Sequence, residues 1–226
     1  MVSYNLTVKE HVLKKELKYK DHVILTYTIK YPQFVSDKFR PFLNKLNRYY
    51  EAEAVLYQKI NVAKLYEMAV SDYEESVAND YPIHQYEVYV EFKVTYNENC
   101  ALSLYFDRYE YTGGAHGMTV RYSDTWDLNK GVRINLDDLF PHNENFTDYI
   151  QSEIIRQIEN EIKNNNNIFF DNYASLVREY FNPKNFYLTE DGVVIYFQLY
   201  EIGPYVIGIQ TFTIPYKEGG AVPPEC

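Results

Sequence analysis

The sequence predicts an α+β domain: a twisted antiparallel sheet with helices packed mainly on one face. Three observations carry this expectation. Val23, Leu25, Tyr27, Ile29 and Tyr31 alternate with Ile24, Thr26, Thr28 and Lys30, and period two marks a strand. Residues 37–77 switch to helical spacing. Three further strand-like segments, 86–96, 101–111 and 118–126, are joined by short links, which makes a meander.

Taken in order, residues 5–17 are the hairpin partner of the first strand, with 18–21 as the polar connection. Ser36 or Asp37 is placed to cap the first helix, and Pro41 falls in its first turn, where a missing N–H costs little. Phe39, Phe42, Leu43, Leu46 and Tyr50 form its apolar face. So long a helical stretch is either one helix or two joined near 51–54. Tyr81-Pro82 ends it. Tyr86, Val88, Val90, Phe92, Val94 and Tyr96 then alternate with polar partners, and Asn97-Glu98-Asn99 turns the chain into 101–111. After 118–126 a turn leads to a short strand over 132–136. A second helix is expected over 147–163, where Tyr149, Ile150, Ile154, Ile158 and Ile162 recur every three or four residues, and the asparagines 164–167 stop it. A shorter helix over 169–180 ends before Asn182-Pro183. Glu190-Asp191-Gly192 links 186–189 to 193–199 as a hairpin, and 207–214 supplies the last strand. The chain divides into an N-terminal half, 1–122, and a C-terminal half, 123–218, sharing one core, with 219–226 as a tail.

A chain of 226 residues can bury a sufficient core without cross-links. Cys100 stands beside a polar turn and Cys226 closes a Pro-rich tail, so the pair is not expected to build a disulfide framework, and neither has metal-ligand spacing. No membrane span and no leader pattern opens the chain, so as written it is expected in the cytoplasm. The net charge of −10 disfavours nucleic acid and anionic lipid and suits a basic partner. The 25 tyrosines fit half-buried strand faces and contact surfaces alike.

Chemistry-bearing patterns are few. His11, His22, His84, His116 and His142 are scattered, so no metal site and no cofactor is expected, and no nucleophile elbow, phosphate loop or dinucleotide fingerprint occurs. Asp137 and Asp138 are neighbours that face opposite ways on an extended chain and read as a turn cap. In Tyr111-Thr112-Gly113-Gly114-Ala115-His116-Gly117 the glycines permit a tight strand link with His116 held against a carbonyl, or an N–H cradle in which His116 makes contacts or moves protons. In Tyr200-Glu201-Ile202-Gly203-Pro204-Tyr205-Val206-Ile207-Gly208, proline and glycine define a loop. That loop is either a sheet corner with Tyr205 packed inward or a rigid aromatic binding device.

These two runs, with Trp126-Asp127-Leu128, Asp137-Asp138-Leu139-Phe140, residues 186–197 and Thr213-Ile214-Pro215-Tyr216, resemble a paired set of bacterial domains of unknown function. The pair occurs in the extracellular part of the anti-sigma factor RsiV, a lysozyme receptor, and ahead of the catalytic domain of the peptidoglycan deacetylase PdaC. The resemblance implies an extracytoplasmic setting and a loop around Pro204 and Tyr205 that contacts a lysozyme cleft. It carries over neither the sigma-binding and membrane segments of the receptor nor the deacetylase domain.

The expected function is therefore a noncatalytic cell-envelope module binding a lysozyme-like protein or a peptidoglycan fragment. Tyr205, Pro204, Gly203, Glu201, Tyr111 and His116 are its contact residues, with Tyr205 the anchor. The alternatives from other classes are a hydrolase or deacetylase-like enzyme using His116, and a structural or oligomerisation domain without ligand.

Overall fold

The computed structural model describes residues 5–164, 168–218 and 220–226. Its elements run β1 (Thr7–Tyr19), β2 (His22–Val35), α1 (Arg40–Tyr57), a π-helical turn (Gln58–Val62), α2 (Ala63–Asn79), β3 (Tyr86–Glu98), β4 (Ala101–Tyr111), β5 (Met118–Asp127) and β6 (Val132–Arg133). A 3-10 turn (Asp137–Leu139), α3 (Phe146–Lys163), α4 (Tyr173–Tyr180), β7 (Phe186–Leu188), β8 (Gly192–Phe197), a 3-10 turn (Tyr205–Ile207) and β9 (Gln210–Pro215) follow. The α+β class is as expected. The three central strands are neighbours in one sheet, whose order is β1-β2-β3-β4-β5-β6.

Two features of the sheets differ from the expectation. β2 and β3 pair in parallel, from Leu25↔Tyr86 to Ile29↔Val90. The physical reason is the connection: parallel neighbours need a long crossover, and α1 with α2 provides it. β7, β8 and β9 form a separate three-stranded antiparallel sheet.

The chain packs as two compact units. One comprises Leu6–Phe92 with Phe106–Val120 and the other Lys93–Tyr105 with Arg121–Cys226, so β3, β4 and β5 each run through both. In the first, α1 and α2 pack on β2. Tyr27, Ile29 and Phe34 of β2 and Leu43, Leu46, Tyr50 and Ala54 of α1 are buried there. Asn47 ties the helix to the strand end, since its side chain accepts from Phe34 N at 2.8 Å and donates to Phe34 O at 2.9 Å. The β1–β2 turn is only Lys20-Asp21, both left-handed, shorter than the 18–21 connection expected. α1 begins without a side-chain cap at Phe39 rather than at Ser36 or Asp37, with Pro41 in its first turn. The helical stretch is interrupted by the π turn at Gln58–Val62, not near 51–54.

In the second unit, β8 is buried along its length and its two faces divide cleanly. Val193, Ile195 and Phe197 join Ile150, Ile154 and Ile158 of α3 in the main core, while Val194 and Tyr196 lie with Tyr187 in a second cluster. Ser103 stitches strands together, accepting from Leu188 N at 2.9 Å and sharing a 2.8 Å bond with Thr125. β6 is cut to two residues because Asn135 N turns to the Asp138 carboxylate at 2.8 Å, so Asp138 does cap a turn. α4 begins at Tyr173 instead of 169, and β9 at Gln210 instead of 207, because 3-10 residues intervene before β9. Asn164 ends α3, and the rest of the asparagine run lies outside the described residues.

The cysteines pair, contrary to expectation. Cys100 and Cys226 form a disulfide with Cα atoms 5.1 Å apart. Folding brings the left-handed turn at Asn99-Cys100 to the chain end, whose approach is fixed by Val222 N donating to Leu139 O at 2.9 Å and by burial of Ala221 in the core. Residues 220–226 are thus part of this unit.

Candidate functional site

The loop of residues 198–209, between β8 and β9, carries four of the six residues singled out in the sequence. It is built by local geometry. Glu201 is half-buried, and its carboxylate accepts from Gln198 N at 2.6 Å, closing a turn in which Tyr200 takes a left-handed φ of 69°. Burial pushes the Glu201 carboxyl up, and the Gln198 hydrogen bond partly opposes it. Gln198 in turn grips β5, accepting from Arg121 N at 2.9 Å and donating to Arg121 O at 2.6 Å. Glu201 therefore shapes the loop from within.

Gly203 is fixed by space: a Cβ there would stand 2.3 Å from Ile207 Cδ1 and 3.0 Å from Ile168 O. Pro204 is exposed and extended, and its carbonyl accepts from Ile207 N at 3.1 Å to start the 3-10 turn. Gly208 closes it at φ 71°, ψ −164°, a conformation essentially reserved for glycine. The ends of the loop are thus constrained and its tip projects. Tyr205 is partly exposed, with its ring 5.8 Å from that of Tyr200. Tyr200 is 47% exposed and Val206 86%. The chemistry offered is a small aromatic and aliphatic surface on a preformed backbone. Tyr200 and Val206 lie within the run marked in the sequence but are not among the contact residues expected there; their exposure adds them to the tip.

Tyr111 and His116 lie on the β4–β5 link, in the other compact unit. Gly113 and Gly114 have φ of 96° and 87°, and the Tyr111 hydroxyl donates to Gly114 O at 3.0 Å. His116 is exposed, with Nδ1 3.1 Å from Gly117 O. A Cβ at Gly117 would stand 2.5 Å from the Tyr109 ring and 2.6 Å from Glu110 O.

Beside this link lies a cleft of about 210 Å³ lined by Asp72, Tyr73, Glu75, Ser76, Tyr81, His84, Tyr86 and Thr112. Sequence reasoning passed over it. Its one readable signal is the spacing of Asp72 and Glu75, three residues apart on one face of α2. Tyr86 donates to Asp72 in a short hydrogen bond, and burial first, then that bond, push its phenol up to about 12. No group of three or more His, Cys, Asp and Glu side chains among the described residues is placed to hold a metal ion.

Comparison with known proteins adds family and fold. The family described as deacetylase PdaC matches residues 18–119, and the family described as protein of unknown function DUF3298 matches 137–217. The peptidoglycan-N-acetylmuramic acid deacetylase PdaC of Bacillus subtilis is 26% identical over 199 residues, which are 86% of this chain and 38% of that protein. The chain thus spans well under half the length of this relative. A DUF3298 family member from Bacteroides fragilis superposes with a TM-score of 0.67 at 21% identity, covering 95% of this chain and 92% of that one. A DUF3298 family protein from Pseudomonas aeruginosa superposes with a TM-score of 0.61 at 19% identity, covering 96% and 95%. The chain carries a PdaC-family domain followed by a DUF3298-family domain.

Proposed function

We propose that this chain is a noncatalytic binding module of the bacterial cell envelope whose partner is a lysozyme-like protein or a peptidoglycan fragment. The observation that carries the reading is the tip of the 198–209 loop. Tyr200 and Val206 are exposed and Tyr205 partly so, on a backbone shaped by Gly203, Pro204, the Glu201 turn and Gly208. A contact surface whose backbone is already ordered loses little entropy on binding, and interface energy concentrates in a few such aromatic residues. The net charge of −10 favours encounter with a basic protein such as lysozyme. A disulfide belongs to an oxidising, extracytoplasmic setting, and the Bacillus relative is by its name an enzyme of peptidoglycan.

Calorimetry against lysozyme and against soluble peptidoglycan fragments tests the proposal. Wild type binds one of the two. Tyr205→Ala weakens that complex by roughly 2 kcal/mol, about thirtyfold, as expected of a hot spot. Failure of wild type to bind either, or an unchanged affinity in a folded Tyr205→Ala protein, refutes it.

A further inference from the structure

The cleft beside the glycine link belongs to the other compact unit and is not part of the loop site. Its lining is chemically one-sided. Asp72 and Glu75 contribute two carboxylates, and Tyr73, Tyr81 and Tyr86 contribute three phenol rings, while no lysine or arginine among the described residues lines it. Tyr81 is 60% exposed and offers the open ring face, whereas Tyr86 is buried and Tyr73 is buried with its ring 5.7 Å from that of Tyr19 and 5.4 Å from that of His22.

The neighbouring carboxylate is a contrast. Glu74, on the same helix, accepts from the Tyr19 hydroxyl at 2.5 Å and pairs with Lys20 at 3.2 Å. Among the described residues Asp72 accepts from the Tyr86 hydroxyl alone, and neither Asp72 nor Glu75 has an ion-pair partner. Tyr86, its phenol held protonated by burial and by Asp72, fixes that carboxylate in place. His84, whose ring carbons would lie 3.7 Å from a Cβ on Gly113, closes the wall toward the glycine link.

From this geometry we infer that the cleft is a receptor for a lysine or arginine side chain presented by a basic protein partner. Aromatic faces and carboxylates together attract a cation, the rings through their quadrupoles and the carboxylates through charge. The volume of about 210 Å³ is below the usual range for a drug-sized ligand but sufficient for one long side chain. A cation entering here meets two carboxylates, of which Asp72 is already positioned by a hydrogen bond that need not break.

The test uses the whole chain, hexalysine, its fully Nε-acetylated counterpart, and chitohexaose as a neutral glycan, with binding read from backbone-amide NMR shifts and calorimetry. Hexalysine is expected to shift amides of residues 72–86 and 112–113, and acetylation to weaken binding about tenfold or more. The double variant Asp72→Asn, Glu75→Gln keeps size and hydrogen bonding, and it should weaken hexalysine by about tenfold while leaving the fold spectrum intact. Tyr81→Ala, at an exposed position, serves as a second variant with a smaller loss of the same kind. The inference is overturned if the acetylated peptide binds equally, if the shifts fall outside these segments, if folded variants bind hexalysine as wild type does, or if chitohexaose occupies the cleft instead.

Discussion

Breaking the Cys100–Cys226 link is the perturbation whose size follows most directly from the fold. The two residues are separated by 126 positions, so the bond closes a loop holding everything from β4 to the chain end. In the chain-entropy account a loop of this length restricts the unfolded ensemble by about 5 kcal/mol at 25 °C. The native state keeps its other fastenings on reduction, because Val222 still donates to Leu139 O and Ala221 stays in the core. Most of the loss is therefore expected to come from the unfolded side. With an unfolding entropy near 2 cal/mol/K per residue, about 5 kcal/mol corresponds to a fall in Tm of roughly 10 °C if the chain unfolds as one, and more if the disulfide-bearing unit unfolds alone. Circular-dichroism melting with and without reductant, repeated on Cys226→Ser, measures it. The reasoning is refuted if reduction and Cys226→Ser leave Tm within about 2 °C of the oxidised protein. It is equally refuted if both thiols of the native, unreduced protein react with an alkylating reagent.

Three further outcomes follow. Gly192→Ala places a Cβ 2.2 Å from Ile214 O in the β8–β9 ladder, and the backbone cannot yield cheaply, so a loss of about 3 kcal/mol is expected in urea denaturation. Because burial raises the folded-state pKa of Glu201, its ionised form is disfavoured on folding, and its contribution to stability falls as pH rises through that raised pKa. Glu201→Gln keeps an acceptor for Gln198 N, so its Tm relative to wild type is expected to be higher at pH 7 than at pH 4; the reverse order contradicts the assignment. Tyr86 ionises late, at about 12, which ultraviolet titration at alkaline pH detects as a phenol lost in Tyr86→Phe.

Long half-buried strands were readable because alternation survives wherever one face meets a core, and β3 and β4 fall close to their expected bounds. The parallel pairing of β2 and β3 was implicit in the long helical connection, which a two-residue hairpin never needs. β8 was legible as a hairpin arm through the Glu190-Asp191-Gly192 turn, and its burial on both faces shows as an apolar run and not an alternation. The disulfide left no local trace: its partners are far apart in sequence, and only folding places them side by side. At the candidate site, proline and glycines marked the 198–209 loop, yet the outward tip depends on the left-handed Tyr200 and the near-complete exposure of Val206, which composition does not encode. The cleft was harder still, because α2, the segment after it, the start of β3 and the glycine link contribute its walls separately.

The central claim is that a partner seats on the tip of the 198–209 loop. Hydrogen–deuterium exchange of the chain with and without saturating lysozyme, and in parallel with soluble peptidoglycan fragments, reads this directly. The account predicts slowed exchange concentrated at residues 200–206 with one of the two ligands, and loss of that protection in Tyr205→Ala. Binding that leaves residues 200–206 unprotected and protects another surface would contradict it.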